Sequence, residues 1–123
     1  MGRSFETAVV RGGGTLVCER CKVAATPLTR LRGLLGRAGL RADEGLLIRP
    51  TSAIHTCFMR FPIDVVFLDR DLVVVGMRTH LRPWRFAARR GAKAVLELAA
   101  GESRRRGIQT GERFQLAEPL TAD

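Results

Sequence analysis

The stretch Pro62-Ile63-Asp64-Val65-Val66-Phe67-Leu68-Asp69-Arg70-Asp71-Leu72-Val73-Val74-Val75-Gly76-Met77 decides the architecture. Val65-Val66-Phe67-Leu68 contains no polar residue, and a short run of this kind reads as a strand buried on both faces. Leu72 to Met77 reads as a second buried strand. Asp69-Arg70-Asp71 makes a short turn between them, so the pair reads as a β-hairpin. Pro62 has no N–H to give to a ladder and marks an edge, a bulge or a turn. Phe61 before it is pushed toward extended geometry. A bend is therefore expected over residues 59–64. Upstream, Ile54-His55-Thr56-Cys57-Phe58 reads as a strand with His55 and Cys57 on one face and Ile54, Thr56 and Phe58 on the other.

Working outward, residues 1–14 are weakly patterned and end in Gly12-Gly13-Gly14. They are expected to be a flexible tail. Residues 15–25 read as one strand, bent or bulged somewhere. Thr26-Pro27 supplies an N-cap and a first-turn proline, so a main helix is expected over 27–37, with Leu28, Leu31, Leu34 and Leu35 on its apolar stripe. Strands follow at 46–48, 93–98 and 114–116, and a short helical turn at about 102–106. Residues 79–91 are basic and irregular and read as a long loop covering an opening. Gly111 lies in a tight turn and is expected at positive φ or in close backbone contact. The reading is one globular domain over 15–116, a C-terminal tail over 117–123, and an α+β fold: a small, mostly antiparallel, partly closed sheet with one main helix.

At 123 residues, 46% apolar and 27% charged, the chain has the make-up of an ordinary globular domain with its own core. No apolar run approaches the roughly 20 residues of a membrane span. The N-terminus lacks the apolar segment of a signal peptide, and the three cysteines are an odd number that suits a reducing compartment. A cytoplasmic location and no membrane partner are expected. The net charge of +9 rests on 21 basic residues, of which only Lys22 and Lys93 are lysine. The arginines are spread along the chain, with no interleaved aromatic platform. Weak binding to nucleic acid at low salt is expected, and specific recognition is not.

Six ordered blocks carry a family resemblance: Arg32-Gly33-Leu34-Leu35, Asp43-Glu44-Gly45-Leu46-Leu47, Met59-Arg60, the run from Pro62 to Asp69, Leu96-Glu97-Leu98-Ala99-Ala100-Gly101, and Gly107-Ile108-Gln109-Thr110-Gly111-Glu112. Together, over about 28–116, they resemble the uncharacterised bacterial family known as domain of unknown function 192. The chain departs from that pattern where Arg60 replaces Lys, where the loop to Pro62 is shorter, and where Glu112 stands for Asp. The resemblance implies a compact, β-rich single domain. It implies no catalytic residue and no cofactor, and some relatives are exported.

Several residues carry candidate chemistry. Cys18-x-x-Cys21 with His55-x-Cys57 has the ligand types of a Cys3His zinc site, but on a regular strand Cys18 and Cys21 point to opposite faces. Cys57 with His55 has the elements of a nucleophile and base, without an orienting third group. His80 stands alone beside the loop. Arg104-Arg105-Arg106 reads as a solvated helical face. Arg60 and Asp64 flank the bend, either as an internal ion pair or turn-capping carboxylate that fixes it, or as part of a site. Asp64, at the head of an apolar run, is expected to be ionised, mostly shielded and bonded to at least two donors, one of them cationic or a backbone amide. The pocket reading joins His55, Cys57, Met59, Arg60 and Asp64, with Arg82 or Trp84 reaching over from the loop. No catalytic set is complete and no metal or cofactor is assigned. The expectation is a non-enzymatic binding or accessory module with a shallow pocket at 55–64 for an unknown small molecule or protein. The alternatives are a small hydrolytic or metal-assisted enzyme using His55 with Cys57 or Asp64, and a basic protein associated with nucleic acid.

Overall fold

The computed structural model describes residues 5–24 and 39–117. Nine strands are described: β1 Phe5–Arg11, β2 Leu16–Ala24, β3 Glu44–Ile48, β4 Ala53–His55, β5 Ile63–Leu68, β6 Val74–Leu81, β7 Phe86–Ala88, β8 Ala94–Ala99 and β9 Phe114–Ala117. Seven form one sheet in the order β6-β5-β8-β3-β2-β1-β9, and β4 pairs with β7 in a separate ribbon. Every pairing is antiparallel except β2 with β3. Among the described residues the α-helix is α1, Glu102–Arg105, and Gly12–Gly14 form a 3-10 turn.

The hairpin forms, but its second strand begins at Val74, runs on to Leu81 and is only partly buried, where a buried strand over 72–77 was expected. All six residues of β5 are buried, because β6 and β8 flank it and both faces are covered. Its turn is capped by Asp69, whose Oδ1 accepts from the amides of Asp71 and Val73. The sheet alternates between two cores. Val66, Leu68, Leu96, Leu98 and Leu47 face one, and Ile63, Val65, Phe67, Val95 and Leu46 face the other. The first core also holds Val74 of β6 and Phe114 of β9, strands from opposite edges. The sheet is therefore curled, with this core inside the curl. The edges meet through a bridge between Val73 and Arg113. Phe114 N–H donates to the Leu72 carbonyl, and Val74 N–H to that of Glu112. Gly111, at φ +95°, donates to the Val74 carbonyl at this seam, and a residue with a Cβ is strained at that φ.

Three expectations change. Phe5–Arg11, read as a flexible tail, is an interior strand between β2 and β9. Its Thr7, Ala8 and Val9 are buried, and the glycines after it make a tight turn rather than a loose joint. Residues 79–91 are not one long loop. β6 continues to Leu81, and Phe86–Ala88 forms β7, too short to show a period of two. Where α+β was expected, the described residues form a mostly β fold with one small helix. The main helix expected over 27–37 lies outside the described residues, as do 118–123 of the C-terminal tail.

Cys18 and Cys21 also depart from the simple strand reading. Along β1, Thr7 pairs with Cys21 and Val9 with Cys18, two steps against three. The extra residue is a β-bulge, which shifts the side-chain phase by one. Both thiols thus enter the same core, fully buried. A hydrogen bond with Cys18, then burial, push the Cys21 thiol well above its usual range. A thiol so held stays protonated and unreactive. Cys18 Sγ also packs against β3 so closely that a Cβ on Gly45 would stand 2.9 Å from it.

Deleting residues 1–11 should break the sheet between β2 and β9. We expect thermal unfolding to lose cooperativity or to fall by more than ~10 °C in a circular dichroism melt. Arg11 Nε is 2.5 Å from Glu112 Oε1. This bond holds the Glu112 carboxyl below its usual value of 4.5, aided by the Gln109 amide and opposed by partial burial. A carboxylate with a lowered folded pKa stabilises the fold above its unfolded pKa, and that contribution is lost as pH falls through the lowered value. Urea midpoints should therefore fall in acid for the native chain, and Glu112→Gln should remove that part of the slope.

Candidate functional site

The β4–β7 ribbon lies over the second core, where Ile54 and Ala87 are buried. Ala53 pairs with Ala88 and His55 with Phe86. At the His55 end two short loops leave the ribbon, and Thr56 ties them together. Thr56 is fully buried. Its hydroxyl donates to the Arg82 carbonyl at 2.6 Å and accepts from the Arg85 amide at 2.8 Å. Its own amide donates to the Arg85 carbonyl, and its carbonyl accepts from the amides of Met59 and Trp84. A buried hydroxyl with this many partners sets the geometry of both loops.

Phe58 and Trp84 are held on these loops at φ +68° and +64°. Bulky side chains are rare in the left-handed region, at a cost of about 1–3 kcal/mol each. Their rings contact each other, with centroids 4.6 Å apart and planes at 59°. Neither is buried by this: Phe58 is 65% exposed, Trp84 57%, and Phe86 on β7 is 68% exposed. These are the exposed large hydrophobics among the described residues, and all lie at one end of the ribbon. Arg60, Arg82 and Arg85 beside them are exposed. A cleft of about 260 Å³ lined by Arg78, His80, Arg82 and Arg85 adjoins the loop.

The structure divides the sequence-derived pocket. His55, Cys57, Arg60, Arg82 and Trp84 belong to the surface just described. The strand expected through Phe58 ends at His55, and residues 57–58 turn, so that His55 Nδ1 accepts the Cys57 amide rather than facing its thiol along a strand. Met59 is buried in the second core with Phe61 and Ile54. Asp64 is fully buried. Its Oδ1 accepts from the His80 amide at 2.9 Å, and its Oδ2 from the Gly101 amide, the Ser103 amide and the Ser103 hydroxyl at 3.1, 3.0 and 2.6 Å. The Arg60–Asp64 ion pair considered from sequence does not form, since backbone amides satisfy the carboxylate and Arg60 stays in solvent. Asp64 is a fastener between β5, the end of β6 and the turn into α1. Phe58, Phe86, Arg85 and Thr56 were missed as site residues. Phe58 carried a weak signal, an aromatic in the bend, but its outward direction depends on a φ that no sequence pattern reveals.

Among the described residues no three His, Cys, Asp or Glu side chains converge as metal ligands. Cys18 and Cys21 lie in the first core, whereas His55 and Cys57 lie at the ribbon end. No described helix is long and apolar enough to cross a membrane. Arg105 and Arg106, expected as a solvated face, both bond Glu102, and Arg106 also reaches the carbonyls of Leu16 and Ala42.

The family model DUF192, described as uncharacterised ACR, matches residues 8–116. This chain belongs to that family. The match begins inside β1, not near residue 28 where the sequence blocks start. The chain is 36% identical over 93 residues to the UPF0127 protein of Thermococcus sibiricus, covering 72% of this chain and 60% of the relative. It is 37% identical over 68 residues to a UPF0127 protein of Pyrococcus furiosus, covering 54% of this chain and 58% of the relative. This DUF192 chain thus spans about 60% of the length of these curated relatives, which are archaeal where a bacterial family was expected. Two solved structures share the fold. One, from Sinorhizobium meliloti 1021, is named as a proposed transcription regulator; it superposes with a TM-score of 0.78 at 21% identity, covering 93% of this chain and 94% of its own. The other, of unknown function, from Novosphingobium aromaticivorans, gives 0.76 at 23% identity, covering 91% of this chain and 84% of its own.

Thr56→Val keeps the shape of the hydroxyl site and removes its hydrogen bonds. It should cost about 1–3 kcal/mol in urea unfolding. It should also change the near-ultraviolet circular dichroism of Trp84, the sole tryptophan. An unchanged spectrum would mean that Thr56 does not set the position of that loop.

Proposed function

We propose that this DUF192 chain is a non-enzymatic binding module whose recognition surface is the aromatic cluster Phe58, Trp84 and Phe86, rimmed by His55, Cys57, Arg60, Arg82 and Arg85. One observation carries the reading: three large aromatic side chains stand more than half exposed at one end of a two-stranded ribbon. Exposed apolar surface of this size, ringed by polar groups, is what binding sites present. Two of the three are held there by backbone conformations that cost free energy, and strain of that kind collects where a side chain must be aimed. The neighbouring arginines favour a partner that offers negative charge beside apolar or flat groups. The description of the Sinorhizobium neighbour as a proposed transcription regulator is compatible with a binding role.

Trp84 is its own reporter. Titration with a short acidic peptide or a single-stranded oligonucleotide should give a saturable shift in tryptophan emission. Phe86→Ala should weaken that binding about tenfold, the loss of one hot-spot aromatic, without lowering the melting temperature, because Phe86 packs on little. A Trp84 emission that stays that of a solvated indole with both probes would overturn the reading.

A further inference from the structure

We infer that the partner is single-stranded nucleic acid, bound without sequence preference, and that a cationic groove at the other end of the β4–β7 ribbon is the track for its phosphates. This rests on the aromatic surface proposed above and adds a second, separate site to it. The ribbon leads from Phe86 toward the groove: Arg89 N–H donates to the Ser52 carbonyl, and Thr51 N–H to the Lys93 carbonyl. There three clefts adjoin. One of about 400 Å³ and one of about 380 Å³ share Arg49, Arg70 and Leu72, and a third of about 500 Å³ shares Pro50 and Lys93 with the second. Arg113 lines the first and Arg90 the third.

The walls are built from the fold's backbone bonds. Lys93 N–H donates to the Leu68 carbonyl, and the seam between Val73 and Arg113 places Arg113 against the hairpin turn. Arg49, Arg70, Arg90, Lys93 and Arg113 are all exposed, and none forms an ion pair among the described residues. Against these five cations stand Asp69, whose Oδ1 is occupied by two amides, and Asp71. Arg11, Arg41, Arg105 and Arg106, by contrast, are each paired with a carboxylate. Five exposed cations thus line the connected grooves, and Arg60, Arg82 and Arg85 continue the exposed positive charge at the aromatic end of the ribbon.

A row of cations suits a repeating anion, and exposed ring faces near it suit unpaired bases, which stack on aromatics whatever their sequence. An acidic protein segment offers the charge but not the stacking. Duplex DNA read through its major groove calls for an inserted helix or ribbon, and α1 spans only Glu102–Arg105.

The test uses the full chain and a fluorescent oligothymidylate of about 12 nucleotides, titrated by anisotropy across a salt series. The native chain should bind at low salt, with log K falling linearly in log salt. The triple variant Arg49→Gln, Arg70→Gln, Arg113→Gln should flatten that slope by about 2, near 0.7 per lost phosphate contact. Trp84→Ala should weaken binding about five- to a hundredfold and leave the slope unchanged. All four positions are exposed, and melts of each variant should match the native chain. A flattened slope with no effect of Trp84→Ala would support the groove and overturn the aromatic surface. A loss with Trp84→Ala and an unaltered slope in the triple variant would keep the aromatic surface and overturn the groove. Polyglutamate of equal length binding as tightly as the oligonucleotide would overturn the assignment to nucleic acid.

Discussion

The structure depends on the curling of one sheet until its two ends touch. The first and last strands of the row meet where the Leu72–Val74 segment bonds to the Gly111–Phe114 segment. The seam is short and joins the edge strands at their Val74 and Phe114 ends. With it, the concave face becomes an interior that collects Val9, Val17, Val74 and Phe114 from strands far apart in the row. The seam also positions the groove, since it is the approach of Arg113 to Arg70 and Leu72 that makes the first cleft. Fold and groove thus share one cause.

Two buried polar groups, Asp64 and Thr56, act as fasteners, bonded mainly to backbone. Asp64 takes four donors from two distant segments, and Thr56 gathers the amides or carbonyls of four residues. Removing the Asp64 carboxylate would leave all four of its donors unpaired, and removing the Thr56 hydroxyl would leave the Arg82 carbonyl and the Arg85 amide without it, which is why such groups are costly to change. The two fasteners differ in consequence. Asp64 holds the start of β5 and the turn into α1, and so serves the scaffold. Thr56 holds the loops that carry Phe58 and Trp84, and so serves the surface.

The charge divides in the same way. Arg11 and Arg106 bridge separate segments through carboxylates and carbonyls, and act as structural clamps. The basic residues around the clefts have no such employment. A net charge of +9 is therefore neither a uniform coat nor wholly a matter of composition. Part of it is consumed by the fold, part lines the connected clefts, and part flanks the aromatic cluster.

The sequence by itself determined the elements whose physics is local. The β5–β6 hairpin followed from two apolar runs around an Asp-Arg-Asp turn, the positive φ of Gly111 from a tight turn entering a strand, and the short helix near residue 102 from its flanking glycines. The shielding of Asp64 followed from its place at the head of an apolar run, and the family from six short blocks. Only the tertiary structure decided the rest. Phe5–Arg11 looks like a tail because its weak pattern becomes a strand only between β2 and β9. Cys18 and Cys21 share a core because a bulge changes the phase of alternation, and one inserted residue leaves no mark in composition. Asp64 finds its donors at His80, Gly101 and Ser103, between 16 and 39 residues away, not at Arg60. Phe58, Trp84 and Phe86 meet because β4 pairs with β7 and Thr56 bonds across 29 residues. Hydrophobic period and turn chemistry act between neighbours, so sequence shows them directly. Strand order, register and loop dihedrals are settled by contacts between distant segments, and the candidate site is made of those.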